Sequence, residues 1–256
     1  MNETAVKYYQ LRYPWGSSWA GMMLFCGQKN ILIDTAVPEA EDFLKDELSG
    51  YGLTVSDIDI VINTHMHSDH CGLNTFLESA GAEIRKVNPG EIIDGGDYVL
   101  SVIAAPGHSA DSVCFLEPDS GILFAGDALE GRGTCYAGVA LYQNPTALLE
   151  TISNMKKLAE SGAIKKIFLG HSYDQTGGIV LQKDILSFLN LCTQTILNYD
   201  SFLKSLPADL SINEVITLLL KKYGITENPI NRACTAITVN AHRKFSDNIV
   251  FAKDKI

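Results

Sequence analysis

The sequence predicts an α/β fold followed by a helical extension, and three observations lead to that prediction. Over the first two-thirds of the 256 residues, short apolar runs alternate with turn residues and a few amphipathic segments, as in mixed α/β proteins. After about residue 178, strand patterns fade and helical periodicity dominates. Hydrophobic residues make up 46% and charged residues 20% of the chain, as in a globular protein with a full core. We therefore expect one domain over residues 1–178 and a helical extension over 179–256.

The strands are predicted from apolar runs bounded by turn residues. Residues 24–26 and 31–33 form a hairpin closed by the turn at 27–30. Further strands are predicted at residues 58–63, 99–104, 113–116, 122–125 and 164–169.

The helices are predicted from caps and from a 3.6-residue apolar period. Pro38 begins one helix, and Asn144 with Pro145 begins another. Their expected core faces carry Ala40, Leu44 and Leu48 in the first, and Leu148, Ile152, Met155 and Ala159 in the second. In the extension, we expect a long helix through Leu186, Leu189, Ile196 and Leu203, a second that begins with a capping box at residues 211–214, and a third over 231–244.

Charge and composition argue against several classes of partner. The net charge of −10 disfavours nucleic acid, which is bound through Lys and Arg. No apolar run approaches the ~20 residues that a membrane-spanning helix needs. The N-terminus lacks a basic start followed by an apolar stretch, and the six cysteines are scattered, so we expect a cytoplasmic protein with free thiols. We expect a small-molecule substrate and no membrane partner, and a homodimer stays open.

The densest chemical pattern is Thr-His-Met-His-Ser-Asp-His at residues 64–70, directly after a predicted strand. Imidazole and carboxylate are preferred ligands of divalent metals. Residues two apart in an extended backbone point the same way, so His65 and His67 can bind one ion, while Asp69 and His70 can face a second. A polar loop with histidines by chance is the alternative, but it does not account for four potential ligand residues in six positions.

Three further candidates each follow an apolar strand and a glycine, which lets the backbone turn tightly and approach an ion. They are His108, Asp127 and His171. Singly, each has a simpler interpretation as a turn residue or a surface histidine. If the strands form one packed pair of sheets, all three emerge with the 65–70 group on one rim, and seven ligands for two cations result. His242, in the extension, is interpreted as structural or solvent-facing.

The His-x-His-x-Asp-His motif, followed in order by His108, Asp127 and His171, resembles the metallo-β-lactamase superfamily over about residues 5–178. The resemblance implies an αββα sandwich with two divalent ions at one edge of the sheets, zinc in the first place, with manganese or iron as alternatives. It implies one ion held by His65, His67 and His108, a second held by Asp69, His70 and His171, and Asp127 as the bridge. Asp34 resembles the family's early strand-ending Asp, which orients ligands. A turn residue before the Pro38 helix is the alternative for it.

The family pattern also implies a mechanism. Two cations about 3.5–4 Å apart can share a water, lower its pKa toward neutrality and polarise the substrate oxygen. The attacking group is then a bridging hydroxide, and Asp69 with the metals handles the proton that the leaving group receives. The chain offers no competing Gly-x-Ser-x-Gly elbow, Walker-type loop or Gly-x-Gly-x-x-Gly motif.

The ligand set narrows the function within the superfamily. Secreted β-lactamases lack the bridging Asp127, and flavodiiron reductases carry Glu in place of His67. We therefore expect a dinuclear hydrolase of a small ester, thioester or lactone, similar to hydroxyacylglutathione hydrolases and lactonases. Two alternatives stay open: a mononuclear-iron oxidoreductase similar to persulfide dioxygenases, and a hydrolase of the phosphodiesterase or ribonuclease type.

Other segments give weaker predictions. The extension lies where hydroxyacylglutathione hydrolases carry a helical substrate-binding domain, and residues 211–251 resemble the winged-helix-like tail of some β-lactamase-like hydrolases. Trp15 and Trp19 are interpreted as hairpin packing, with a substrate lid as the alternative. Tyr136 and Tyr142 are candidates for donating a hydrogen bond to an oxyanion.

Overall fold

The computed structural model describes residues 6–16, 18–129, 139–171 and 177–253. The chain forms two compact units that alternate along the sequence. The first unit comprises Met1–Ala104, Val113–Gly126 and Ala163–Val180, and the second comprises Ala105–Ser112, Asp127–Gly162 and Leu181–Ile256. The domain boundary predicted near residue 178 stays a prediction, because neither unit corresponds to one side of it.

Two β-sheets form the first unit, apart from the last residue of the final strand. The first sheet has the order β1-β2-β3-β4-β5 and the second has the order β11-β10-β9-β8-β7-β6. The strands of the first sheet are β1 Lys7–Trp15, β2 Ser18–Cys26, β3 Ile31–Ile33, β4 Ile60–Ile62 and β5 Glu83–Ile84. Those of the second are β6 Ile92–Asp94, β7 Val99–Ala104, β8 Val113–Glu117, β9 Ile122–Phe124, β10 Lys166–Phe168 and β11 Ile179–Leu181.

The predicted strands are all present, and their ends are either unchanged or shifted by one or two residues, apart from the start of β2. The predicted hairpin is confirmed by the antiparallel pairing of β2 with β3, although β2 begins at Ser18. Strand β1, which pairs with β2 along its whole length, was not predicted. It lies at the edge of its sheet, where half-exposed polar residues obscure the apolar alternation. The alternation of Tyr9, Leu11, Tyr13 and Trp15 is the signal that could have revealed it.

Apolar side chains from both sheets form one core between them. The first sheet contributes Met23, Phe25, Ile31, Ile33, Ile60 and Ile62, and the second contributes, among others, Leu100, Val102, Phe115, Phe124 and Phe168. The other face of the first sheet packs against helices through a second core. The helices of this unit are α1 Glu41–Gly50, α2 Ser68–Cys71 and α3 Asn74–Ser79. The predicted Pro38 helix start is confirmed, since the 3₁₀ turn Pro38–Ala40 leads directly into α1 and its buried Leu44 and Leu48.

Helices dominate the second unit. They are α4 Pro145–Glu160, α5 Ile185–Ser205, α6 Ile212–Lys222 and α7 Pro229–Lys253. The predicted caps are confirmed: Asn144 accepts a hydrogen bond from the Ala147 amide at 3.1 Å, and Ser211 forms a capping box with Glu214. Within the described ranges, no helix combines the length and apolar character that crossing a bilayer requires.

Two parallel strand pairs set up the rim of the sheets in the first unit. Strand β3 runs parallel to β4, with Ile33 opposite Ile62, and β9 runs parallel to β10, with Phe124 opposite Phe168. Because parallel strands end side by side, the residues that follow each pair are neighbours. All the candidate ligands except His108, which follows β7, lie in chain segments that begin at these ends.

Candidate metal centre

The 64–70 segment leaves β4 as extended chain and then turns into the short helix α2. His67 has extended dihedrals at the start of α2, whereas Asp69 and His70 lie within its single turn. The side chains of His65 and His67 meet as the two-residue spacing predicts, with Nε2 of His65 3.0 Å from Nδ1 of His67. The segment therefore presents two groups of polar atoms, one from its extended part and one from its helical part.

The helical part converges with the end of β10. Nε2 of His171 lies 3.2 Å from Nε2 of His70 and 3.2 Å from Oδ2 of Asp69. The third distance, from Nε2 of His70 to the same carboxylate oxygen, is 3.9 Å. The rings of His70 and His171 are almost fully buried, while the Asp69 side chain keeps 15% of its surface exposed. Three ligand atoms from two distant parts of the sequence thus face one point.

The hydrogen-bond partner of Nδ1 in each of the two rings shows which ring nitrogen carries the proton. Nδ1 of His70 lies 2.8 Å from the Asp34 carboxylate, and Nδ1 of His171 lies 2.6 Å from the carbonyl oxygen of Trp19. A carboxylate and a carbonyl only accept, so each Nδ1 carries the hydrogen, and a neutral ring then presents a lone pair at Nε2. Two lone pairs and the Asp69 carboxylate repel one another unless a cation lies among them. The donor set therefore fits a divalent metal ion.

Asp34 orients this half of the site. Its carboxylate accepts hydrogen bonds from the Thr64 amide at 2.7 Å, from the Thr64 hydroxyl at 2.8 Å and from His70. Asp34 is fully buried and has a φ of +59°, a conformation that few residues other than glycine, Asn and Asp adopt. Burial raises the pKa of its carboxyl group, and the interactions of the carboxylate with His70 and Thr64 oppose that rise. The structure thus favours the orienting role over that of a plain turn residue.

Thr64 connects Asp34 to His65, and sequence reasoning missed it. Because its hydroxyl hydrogen is donated to Asp34, its oxygen accepts from Nδ1 of His65, 3.1 Å away. His65 therefore also presents Nε2 as a lone pair. Thr64 packs against Gly126, where an added Cβ would lie 2.5 Å from the hydroxyl oxygen. The glycine before Asp127, which has a φ of +51°, is required by this contact as well as by the turn.

The second unit holds the other two candidates, and they are neighbours. Nε2 of His108 lies 3.6 Å from Oδ2 of Asp127, and Nδ1 of His108 donates to the carbonyl oxygen of Leu141 at 2.7 Å. His108 thus has the same tautomer as His65, His70 and His171. The preceding Gly107 has a φ of +141°, and a Cβ there would lie 2.5 Å from the Cβ of Leu148. The predicted strand-glycine-ligand pattern therefore holds here too.

The family model for the metallo-beta-lactamase superfamily matches residues 14–83 and 77–171, the part of the chain that contains all seven candidates. The chain belongs to that superfamily. The match confirms the resemblance inferred from the motif, and the two sheets with their helices are the fold that the resemblance implies.

Two individual relatives show how far the sequence similarity extends. A hydroxyacylglutathione hydrolase from Erythrobacter litoralis is 28% identical over 155 residues, which cover 55% of this chain and 57% of that protein. An atrochrysone carboxyl ACP thioesterase from Aspergillus novofumigatus is 32% identical over 123 residues, which cover 42% of this chain and 37% of that protein. The match therefore spans little more than half the length of the first relative and little more than a third of the second.

Solved structures support the fold. A metallo-beta-lactamase family protein from Thermus thermophilus superposes with a TM-score of 0.74 at 20% identity, over 94% of this chain and 93% of that one. The predicted αββα class with C-terminal helices is therefore confirmed.

Predictions were also made for five aromatic or imidazole residues outside the ligand set. Tyr142 is 1% exposed and its hydroxyl binds His242, so the prediction that it donates to a substrate oxyanion is wrong. His242, 2% exposed, is structural and does not face solvent.

The two tryptophans lie in the β1–β2 hairpin, where Trp15 pairs with Ser18 and Trp19 pairs with Pro14. This pairing supports the packing interpretation. The ring of Trp15 lies 5.9 Å from that of His171. Tyr136 lies outside the described residues.

Proposed function

We propose that the chain is a dinuclear metal-dependent hydrolase that acts on a small ester, thioester or lactone. The observation that carries the proposal is the convergence of Asp69, His70 and His171, in which two imidazole lone pairs and a carboxylate meet within 3.2–3.9 Å. Such a set binds a divalent cation, and the sequence similarity to a hydroxyacylglutathione hydrolase and to a thioesterase favours acyl substrates.

The assignment of the full ligand set rests on the order of the motifs along the chain, which is that of the superfamily. One ion would be held by His65, His67 and His108, the other by Asp69, His70 and His171, with Asp127 shared. The proposed ions are divalent, and zinc suits a site rich in neutral imidazole. The cytoplasmic location, the small-molecule substrate and the homodimer stay predictions.

The chemistry divides between the ions and the side chains. When bound, two divalent ions supply an acidified water and polarise the oxygen of the scissile group. Asp69 keeps part of its carboxylate exposed beside His171, so it can hold a proton and pass it to the leaving group. Asp34 keeps the His70 ring in the tautomer that binds metal through Nε2.

Metal analysis combined with a substrate panel tests the proposal. Protein purified without added metal is assayed for zinc, manganese and iron, and then for cleavage of an aryl ester, an acyl thioester, a lactone and an aryl phosphodiester. We expect two ions per chain and cleavage of the acyl substrates. One iron per chain with oxygen uptake on a persulfide would instead indicate the oxidoreductase, and cleavage of the phosphodiester alone would indicate the nuclease-type hydrolase.

A matched pair of variants connects activity to the site. Asp69→Asn should lose acyl cleavage, whereas Asp46→Asn removes the same charge from an exposed position on α1 and should have no effect. Equal activity of the two variants would contradict the role of Asp69.

A further inference from the structure

We infer that helices α5 and α7 of the C-terminal extension position the metal-binding atom of His108 through the backbone of residues 139–142. Thr238 and Tyr199 form hydrogen bonds with the peptide groups of Ala140 and Tyr142, and His242 forms a hydrogen bond with the Tyr142 side chain. The inference rests on the proposed function, in which His108 binds a metal ion. The extension would then have a role at the site, although none of its described residues is a candidate metal ligand.

The first step is the hydrogen bond between His108 and Leu141. Nδ1 of His108 donates to the Leu141 carbonyl oxygen at 2.7 Å, and this bond leaves Nε2 directed to Asp127. The orientation and tautomer of a metal-binding histidine depend on the acceptor at its other nitrogen. Because the acceptor is a backbone carbonyl, its place depends on whatever holds the peptide groups on either side of Leu141.

The second step is the anchoring of those peptide groups by buried side chains of the extension. Thr238 of α7 donates from its hydroxyl to the Ala140 carbonyl oxygen at 2.8 Å, and its oxygen accepts from the Tyr142 amide at 3.4 Å. The Ala140 amide donates to the hydroxyl oxygen of Tyr199 on α5 at 3.1 Å. Thr238 and Tyr199 are both fully buried, so water does not compete for these bonds. Residues of two helices therefore bracket Leu141.

A third contact fixes the side chain next to Leu141. The Tyr142 hydroxyl lies 2.8 Å from Nε2 of His242, and Nδ1 of His242 lies 3.8 Å from the Asp200 carboxylate. Asp200 also pairs with Lys204 at 3.0 Å. Burial raises the pKa of Asp200, but His242 and Lys204 lower it by more, so an ionised carboxylate lies next to the His242 ring. Tyr142 is thus held from α7 on the same side as Thr238.

Local contacts at the start of α4 do not replace this anchoring. The amides of Gln143 and Asn144 donate to the Gly107 carbonyl oxygen at 2.8 and 3.0 Å. These bonds fix the backbone turn that precedes His108, but the ring can still rotate about its side-chain bonds. Within the described part of the chain, Nδ1 of the ring donates to the Leu141 carbonyl, and residues of the extension hold the peptide groups on either side of that carbonyl.

Two buried threonines of α7 provide a matched test. Thr238→Val removes the hydroxyl that binds the 140–142 backbone. Thr235→Val makes the same change three residues earlier on the same helix, at a fully buried hydroxyl that has no hydrogen-bond partner among the described residues. Thr238→Ser keeps the hydroxyl and serves as the rescue variant. The metal-free full chain of each variant is titrated with Zn²⁺ well below its melting temperature, and histidine tautomers are read by ¹⁵N NMR.

We expect Thr238→Val to weaken one of two Zn²⁺ binding steps by about 10-fold or more, by analogy with the loss of groups that orient metal ligands. The other step should stay unchanged, and the Nδ1–H signal of His108 should weaken in the metal-free protein. Thr235→Val and Thr238→Ser should resemble the wild type. Unchanged Zn²⁺ binding with an intact His108 signal in Thr238→Val would overturn the inference, and so would equal weakening of both steps. A wild-type chain that binds no Zn²⁺ would instead refute the proposed function and, with it, the inference.

Discussion

Nε2 of His70 and Nε2 of His171 lie 3.2 Å apart, although 101 residues separate them in the sequence. His70 follows β4 in the first sheet and His171 follows β10 in the second, and the apolar core between the sheets brings these strand ends together. Each ring donates its outer N–H to a fixed acceptor, so both rings, when neutral, direct a lone pair to the same point, an arrangement that a metal cation would fit.

Metal removal should therefore destabilise the protein. A ligand that binds only the folded state at 100 times its Kd adds about 2.7 kcal/mol of stability. One kcal/mol shifts the melting temperature of a chain of this size by about 2–4 °C. We expect a strong chelator to lower the melting temperature by several degrees and excess Zn²⁺ to restore it, measured by calorimetry. An identical melting temperature with and without chelator would contradict the metal assignment.

Asp127→Asn should abolish the dinuclear centre and leave the fold intact. A carboxylate between two cations offsets their repulsion, whereas an amide of the same size carries no charge. We expect loss of one metal ion and a fall in acyl cleavage on the order of 100-fold or more. Metal content, rate and melting temperature are measured on the same preparation, with Asp46→Asn as the charge control. Two retained ions and near-normal turnover would show that Asp127 is a turn residue.

Asp34→Asn should weaken metal binding through His70. The amide tolerates the positive φ but has an N–H₂ group where the carboxylate accepts, so one of the three donors loses its partner. We expect a 10- to 100-fold loss of Zn²⁺ affinity, about the range for groups that orient a ligand. Asp57 is a matched control, because its carboxylate accepts from the Thr54 amide and hydroxyl at 2.7 and 2.8 Å. Asp57→Asn loses the same kind of bonds at the surface and should bind Zn²⁺ normally.

Gly126→Ala should disturb the site through Thr64. The added Cβ would lie 2.5 Å from the Thr64 hydroxyl oxygen, which donates to Asp34 and accepts from His65. Displacing that hydroxyl, together with the strained φ, should cost about 1–3 kcal/mol of stability and lower Zn²⁺ affinity. Gly162→Ala has the same backbone strain, at a φ of +79°, but meets no atom within 4 Å. It should lower the free energy of unfolding less, as chemical denaturation would show, and leave Zn²⁺ affinity unchanged.

Much of the fold was predictable because it follows from local rules. The caps at Asn144 and Ser211 and the apolar period of α5 depend only on nearby residues, and the structure has these helices where they were predicted. Strand β1 was missed because an edge strand buries only part of its surface, which makes its alternation weak.

The sequence by itself determined the ligand chemistry: which residues carry imidazole or carboxylate, in what order, and after which strands. Only the tertiary structure decided which atom of each ring is available to a metal, because the acceptors of His171 and His108 are the backbone carbonyls of Trp19 and Leu141. Every residue has such a carbonyl, so no residue type marks it in advance. It also decided that Tyr142 faces His242 instead of a substrate, since packing of distant helices sets where a buried hydroxyl finds its partner.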